Sequence, residues 1–399
     1  MHLHLNAAAD STSRVNRFAA TALMLGNVVT GCSVLAPAGM LSELAGGLDV
    51  SIRDAGLLVT FGAVMLCIGS PLTAWLTGRI ERRTLLTVTL AVLALTNAAS
   101  AFAPDYVSLL VIRLIMLAIG ALYTPQAAGT AALIVPPEKR GSTVAYIFLG
   151  WSLAAAIGLP LIALVASRYG WRAVYGGIGL AGCCSFLFLV WCLPRGLQGS
   201  PVDLKTWMAV GRNRTIILLL SITTVQMSGQ FVVFTFMGPL LAKLADASPD
   251  AIGLAFAIYG ACGVIGNVIG TWLVDRWGSY RTSLLFVGAL LAGTGIWALG
   301  AGHFAVMVAG VAVWGLGFAS SNSMQQVRLI AAAPSFGSTS VSLNTSVLYV
   351  GQAIGSAVGG MLFARGELHG AGYVAVAFLA LAFWLVTLTR PGQAAAVLR

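Results

Sequence analysis

WLTGRIERRTLL, residues 75–86, sets three arginines and a glutamate directly behind an unbroken apolar run. WLVDRWGSYRTSLL, residues 272–285, repeats much of the phrase far downstream. Charge gathered into two short hinges needs a reason in a chain of 399 residues that is 58% hydrophobic and 9% charged. Ordinary soluble domains are about 25% charged, and so few charges cannot clothe a water-soluble surface. The apolar residues fall in long blocks, and a helix of about 20 apolar residues crosses the ~30 Å hydrocarbon core of a bilayer. The blocks are continuous and do not alternate, which selects helices over a barrel.

Such blocks fall near 18–40, 55–77, 84–103, 107–134, 143–166, 172–194, 215–240, 251–274, 282–301, 304–326, 340–364 and 371–389, which predicts twelve spans. With the N-terminus in the cytoplasm, sixteen Lys and Arg, among them Arg79, Arg82, Arg83, Arg276 and Arg328, fall in cytoplasmic segments and five on the far side. This is a positive-inside bias, and an odd number of spans would scramble it. The longest polar connection, 195–214, divides the chain into bundles at 18–194 and 215–389, flanked by cytoplasmic tails at 1–17 and 390–399. The run after residue 17 is too long for a signal peptide and is read as the first span. The two opening phrases follow span 2 and span 8, equivalent places in the two halves, so they mark a duplicated six-helix unit.

The net charge of +10 is then the topology signal and does not imply nucleic acid. The six cysteines lie inside apolar runs without metal spacing and read as small buried hydrophobes. Gly150-Trp151-Ser152 faintly suggests an intramembrane serine protease, but His2, His4, His303 and His369 all lie in tails or loops. With no HExxH and no Walker sequence, the expectation is a chain that is not an enzyme and carries no cofactor and no metal.

Within the spans each polar side chain needs a partner. Arg113 is the one charged residue deep inside a predicted span. It either controls protonation in a cavity or braces backbone carbonyls. Asn27 lies midway along span 1, Gln226 and Gln230 share one face of span 7, and Asn344 and Tyr349 lie in span 11. Each amide is read as a solute contact or as interhelical glue. Trp151 and Phe234 offer rings for stacking or for packing. All twelve acids fall in tails, loops or span ends, with Asp54 at the start of span 2 the nearest candidate for a titrating group. Nothing mid-membrane balances positive charge, which predicts neutral, zwitterionic or anionic solutes.

The first hinge fits the pattern G-x-L-a-D-R-x-G-R-R through Ala74, Leu76, Arg79, Arg82 and Arg83, with Gly78 in the place of the acid and Glu81 in that of the second glycine. The second hinge keeps Leu273, Asp275, Arg276 and Gly278. Arg113 is followed by Gly120 in span 4, GWSLAAAIGLP carries Gly158 and Pro160 in span 5, and residues 331–360 form a Ser- and Gly-rich start to span 11. In this order the chain resembles the major facilitator superfamily, and within it the drug-efflux group (twelve-span drug:proton antiporters) that includes sugar and purine-ribonucleoside exporters. The resemblance implies an all-α membrane protein of twelve transmembrane helices in two pseudo-symmetric six-helix bundles, working by alternating access. It implies a monomer in a bacterial-type inner membrane, both termini cytoplasmic, moving a small molecule with protons as the coupling ion. The expected solute site draws on Asn27, Arg113, Tyr123, Gln126, Trp151, Gln226, Gln230, Phe234, Asn344 and Tyr349. Gating falls to Arg79, Arg82, Arg83, Asp275, Arg276, Gly278, Gly158 and Pro160, and proton coupling to Asp54 and Arg113. Uncoupled facilitation and uptake remain alternatives of the same fold.

Overall fold

The computed structural model describes residues 2–77, 79–136, 139–198, 213–332 and 337–390. Gly78, most of the predicted linker (199–212) and the last tail residues (391–399) lie outside the described residues. Among the described residues every regular element is helical. Eleven helices among the described residues are long and apolar enough to cross a bilayer: Phe18–Gly39, Ile52–Ser70, Arg82–Ala101, Tyr106–Ala131, Ser142–Tyr169, Trp171–Cys192, Arg214–Phe234, Pro249–Leu299, Phe304–Ala332, Leu343–Ala364 and Leu368–Leu388. Pro249–Leu299 has 51 residues. At 1.5 Å per residue that is roughly 77 Å, more than twice the hydrocarbon thickness. It is two crossings joined at Gly278, where φ is 75° and ψ 161°, a conformation that glycine adopts without a Cβ penalty. The twelve crossings of the all-α fold are therefore spans 1 to 12 in the order the sequence predicts. An even number returns the chain to the side it started from, so both ends share one face, called here the termini face.

Two spans break regular geometry for local reasons. Span 5 carries a π turn at Ala154–Gly158, just ahead of Pro160. Proline has no N–H to bond the carbonyl four residues back, and a wider turn is one way to absorb that loss. Span 4 breaks between Gly120 and Tyr123. Helix starts are capped from the sequence: Asp105 accepts from the Ser108 amide and Ser248 from the Ala251 amide.

Lipid supplies no hydrophobic drive between helices, so close backbone contact holds the bundles together. Span 11 lies against span 7, and a Cβ at Gly355 would sit 2.2 Å from the Ser228 carbonyl oxygen. The bundles meet along spans 2 and 11 and along spans 5 and 8. The largest apolar cluster joins both halves toward the face opposite the termini, with Leu41, Leu58 and Trp171 packed with Phe236, Tyr259 and Trp314. Toward the termini face lie two further clusters, one around Leu23, Leu86 and Leu189 that also takes in Tyr349 of span 11, and one around Ile216, Leu329 and Val386. The most extensive shared core thus lies toward the opposite face, and toward the termini face the contact between the halves narrows to span 11.

Two expectations change. The cysteines are not buried: Cys183 and Cys184 are exposed and the other four intermediate, because a small apolar side chain in a span is as content against lipid as against protein. Arg328 does not lie in a loop. Span 10 runs on to Ala332, and Arg328 is buried inside it.

Candidate functional site

Pro37 sits inside the span 1 helix, which removes the donor for the carbonyl of Ser33. Arg113 fills that place. Its Nη1 donates to the Ser33 carbonyl at 2.9 Å, its Nη2 to Val34 at 2.9 Å and its Nε to Leu58 at 3.1 Å. Three faces of one guanidinium thus tie span 4 to spans 1 and 2, with 1% of the residue exposed.

A polar chain crosses spans 5, 4 and 1 of the N-terminal bundle. Trp151 Nε1 donates to Thr124 Oγ1 at 3.0 Å, Thr124 Oγ1 to Asn27 Oδ1 at 2.8 Å, and Asn27 Nδ2 to the Ile147 carbonyl at 3.0 Å. Tyr123 donates to the Leu23 carbonyl at 3.4 Å, and Gln126 accepts from Arg82. In the C-terminal bundle Thr223 Oγ1 donates to Asn344 Oδ1 at 2.6 Å, and Asn344 Nδ2 donates to Asn322 Oδ1 at 3.3 Å. Gln226 donates to Ser321 Oγ at 3.2 Å. Gln230 accepts from Trp314 Nε1 at 3.0 Å. Phe234 lies edge-on to Phe231 and Trp314 inside the aromatic core. Tyr349 packs with the N-terminal cluster, across the seam from its own bundle.

Nine of the ten predicted solute residues are buried, and Trp151 alone of them is partly exposed. The buried amides already have protein partners, so they hold their neighbours in place. The partly exposed members of the two chains are Trp151 and Thr124 on one side and Asn322 on the other. Thr124 carries no sequence signal of its own, since a threonine in a span is common. Asn322 is a polar residue near the end of span 10, and its position in the sequence gives no sign of its partner Asn344.

The hinge residues divide. Arg79 is exposed. Arg82 is buried, donates its amide to the Leu197 carbonyl at 2.8 Å, and its Nε has no hydrogen-bond partner among the described residues. Arg83 donates to the Val190 carbonyl. Glu81 accepts from the Gly196 amide and from Thr84 Oγ1 at 2.8 Å. These bonds, the Gly196 amide first, hold its carboxyl below the usual glutamate range. In the second hinge Arg276 stacks over Trp272 at 3.9 Å, and Asp275 is exposed with no ion-pair partner among the described residues. Gly158 lies in the π turn, where a Cβ would meet Cys32 Sγ at 2.6 Å. Asp54 Oδ2 accepts from Ser51 Oγ at 2.7 Å while the Asp54 amide donates back at 3.0 Å, so Ser51 caps the start of span 2 at the opposite face. Arg328, unforeseen as a buried group, donates to Ser283 and Gln325 at 3.3 Å each and to Thr389.

Residues 23–244 and 219–397 each match the model of the Major Facilitator Superfamily. The chain belongs to the Major Facilitator Superfamily. As a superfamily member it is a multi-pass membrane transporter. It is 29% identical over 347 residues to the inner membrane transport protein YdhP of Escherichia coli (strain K12), covering 86% of this chain and 88% of that protein. It is 24% identical over 366 residues to a probable sugar efflux transporter of Mannheimia succiniciproducens, covering 91% of each. In fold it resembles the bacterial homologue of the human lysosomal transporter Spinster, solved inward-facing and unoccupied (TM-score 0.73, 16% identity, 94% of this chain and 97% of that one). It also resembles the xylose transporter XylE of E. coli, solved partially occluded and inward open (TM-score 0.73, 14% identity, 93% and 97%).

Proposed function

We propose that this chain is a secondary transporter that exports a small neutral, zwitterionic or anionic organic solute across the cytoplasmic membrane, by alternating access and in exchange for protons. The observation that carries the reading is the pair of neutral hydrogen-bond chains, Asn27–Thr124–Trp151 and Thr223–Asn344–Asn322, one in each bundle. Amides and hydroxyls bond hydroxylated or amide-bearing solutes, and an indole stacks on an apolar sugar or base face. Among the described residues no carboxylate bonds to either chain, so none balances a cation there. The relative named as a probable sugar efflux transporter supports both direction and class. Sixteen of the basic residues assigned to one side support a cytoplasmic termini face, so the large shared apolar core closes the side away from the cytoplasm. Trp151, Thr124 and Asn322 contact the solute; Asn27 and Asn344 orient them. Arg113 braces the wall behind. Solute binding that differs between inward- and outward-open states shifts their populations. Arg79, Arg82, Arg83, Asp275 and Arg276 close the termini face in the other state.

A second reading, uncoupled facilitation, is favoured by the position of the acids, since Asp54 is engaged in a cap at the opposite face. Purified protein in liposomes with a labelled neutral sugar and an imposed pH gradient separates the two. Accumulation driven by the gradient supports antiport. Equilibration that ignores the gradient assigns a facilitator. Potent inhibition by lipophilic cations, with none by neutral or anionic solutes, overturns the solute class.

A further inference from the structure

Outside the seam where spans 5 and 8 meet, and away from both polar chains, lies a groove of about 250 Å³. Pro160 and Leu164 of span 5 form one wall, Gly253, Leu254 and Ala257 of span 8 the other, and Asp250 closes one end. The groove faces the bilayer: Leu254 is 54% exposed and Leu161 beside it 52%. A Cβ built on Gly253 meets nothing within 4 Å, so the glycine leaves room that no neighbour fills. From Asp250 to Ala257 the groove runs roughly 10 Å along the helix at 1.5 Å per residue. At its rim, where span 5 ends and span 8 begins, Arg168 Nη2 stands 3.9 Å from Asp250 Oδ1, with the side chains 61% and 75% exposed. A pair this open and this long is worth little by itself, and both groups keep most of their hydrogen-bonding capacity.

We propose that this groove binds one phospholipid with a primary-amine zwitterionic headgroup, phosphatidylethanolamine, from the leaflet opposite the chain ends. An acyl chain lies between the two walls, the phosphate meets Arg168, and the ammonium meets Asp250. The charge pair selects the headgroup. A quaternary choline has no N–H to donate to Asp250. A glycerol headgroup brings no cation and sets its phosphate beside the Asp250 carboxylate. The ethanolamine ammonium donates hydrogen bonds to Asp250 while its phosphate accepts them from Arg168. One wall belongs to each bundle, so the groove is whole only while the bundles are joined at the opposite face. A ligand that binds one state stabilises it by mass action, and this lipid therefore favours the closed opposite face.

Native mass spectrometry of the full chain, exchanged into phosphatidylethanolamine, phosphatidylcholine or phosphatidylglycerol of identical acyl composition, tests the site. The wild type is expected to retain one ethanolamine lipid about tenfold more strongly than the other two, the difference of one charge-assisted hydrogen bond. Asp250→Ala should bring ethanolamine and choline lipids to equal retention, and Gly253→Leu, which fills the groove, should abolish retention of both. Both positions are open in the fold, and matching thermal unfolding confirms intact protein. Equal retention of all three lipids by the wild type, or undiminished retention by Gly253→Leu, overturns the proposal. Electron-resonance distances between labels at Ser167 and Ala247 read the linkage. Ethanolamine lipid should raise the short-distance population relative to choline lipid, and an unchanged distribution overturns the coupling to state.

Discussion

Arg113 Nη1 donates at 2.9 Å to the carbonyl of Ser33, the carbonyl that Pro37 deprives of its helical donor. A proline in span 1 and an arginine in span 4 thereby complete one hydrogen-bond account. Arg113→Met strands the Ser33 carbonyl and removes a second donor from those of Val34 and Leu58, and at about 1–3 kcal/mol for a stranded polar group the loss is expected to be roughly 2–3 kcal/mol. Arg113→Lys should recover part of it, since an ammonium on a single stem cannot span three carbonyls. Thermal unfolding in detergent measures both. A lysine variant with wild-type stability and no transport would instead place Arg113 in the coupling chemistry.

Glu81 ties the first hinge to the start of the linker through the Gly196 amide. Its folded pKa lies below the reference 4.5, so its contribution to stability is present above the unfolded pKa and is lost as pH falls through the folded value. The gap in Tm between wild type and Glu81→Gln should hold constant through neutral pH and close in acid. A gap that persists unchanged in strong acid would show that the carboxylate is not the origin.

At the seam between spans 5 and 8, a Cβ on Gly260 would lie 2.2 Å from Ala156 Cα and 2.6 Å from the Ala155 carbonyl oxygen. Overpacking costs about 1–3 kcal/mol, and here the clash exists only while the bundles are joined. Gly260→Ala should therefore shift the population away from this state by about 5- to 150-fold. Crosslinking yield between cysteines placed across the seam should fall, and an undiminished yield would mean that the helices part easily at this point.

Asn322 is partly exposed, whereas Asn344 behind it is buried and bonded on both sides of its amide. Asn322→Ala is expected to raise KM severalfold with only a small fall in Tm, since the bond it removes from Asn344 is long, at 3.3 Å. Asn344→Ala strands the Thr223 hydroxyl and should cost about 1–2 kcal/mol of stability. The reverse pattern, with Asn322 essential for stability and Asn344 for KM alone, would exchange their roles.

The membrane class, the twelve crossings and the paired hinges could be read from residues in order, because hydrophobicity sums over a local window and charge is sorted by loop. The brace at Ser33 was half-legible: Pro37 announces an orphan carbonyl four residues back, but nothing local points to Arg113, 80 positions away. Arg328 looked like a loop charge until span 10 ran past it and Thr389, 61 positions on, closed over its guanidinium. The amides tell the same story, with Thr124 lying 97 residues from Asn27 and Thr223 lying 121 from Asn344. Which polar atoms are satisfied within the protein, and which are left for a solute or a lipid, was settled only when the helices packed. Burial in lipid is a property of each segment alone, whereas a hydrogen bond needs two segments brought within about 3 Å of each other.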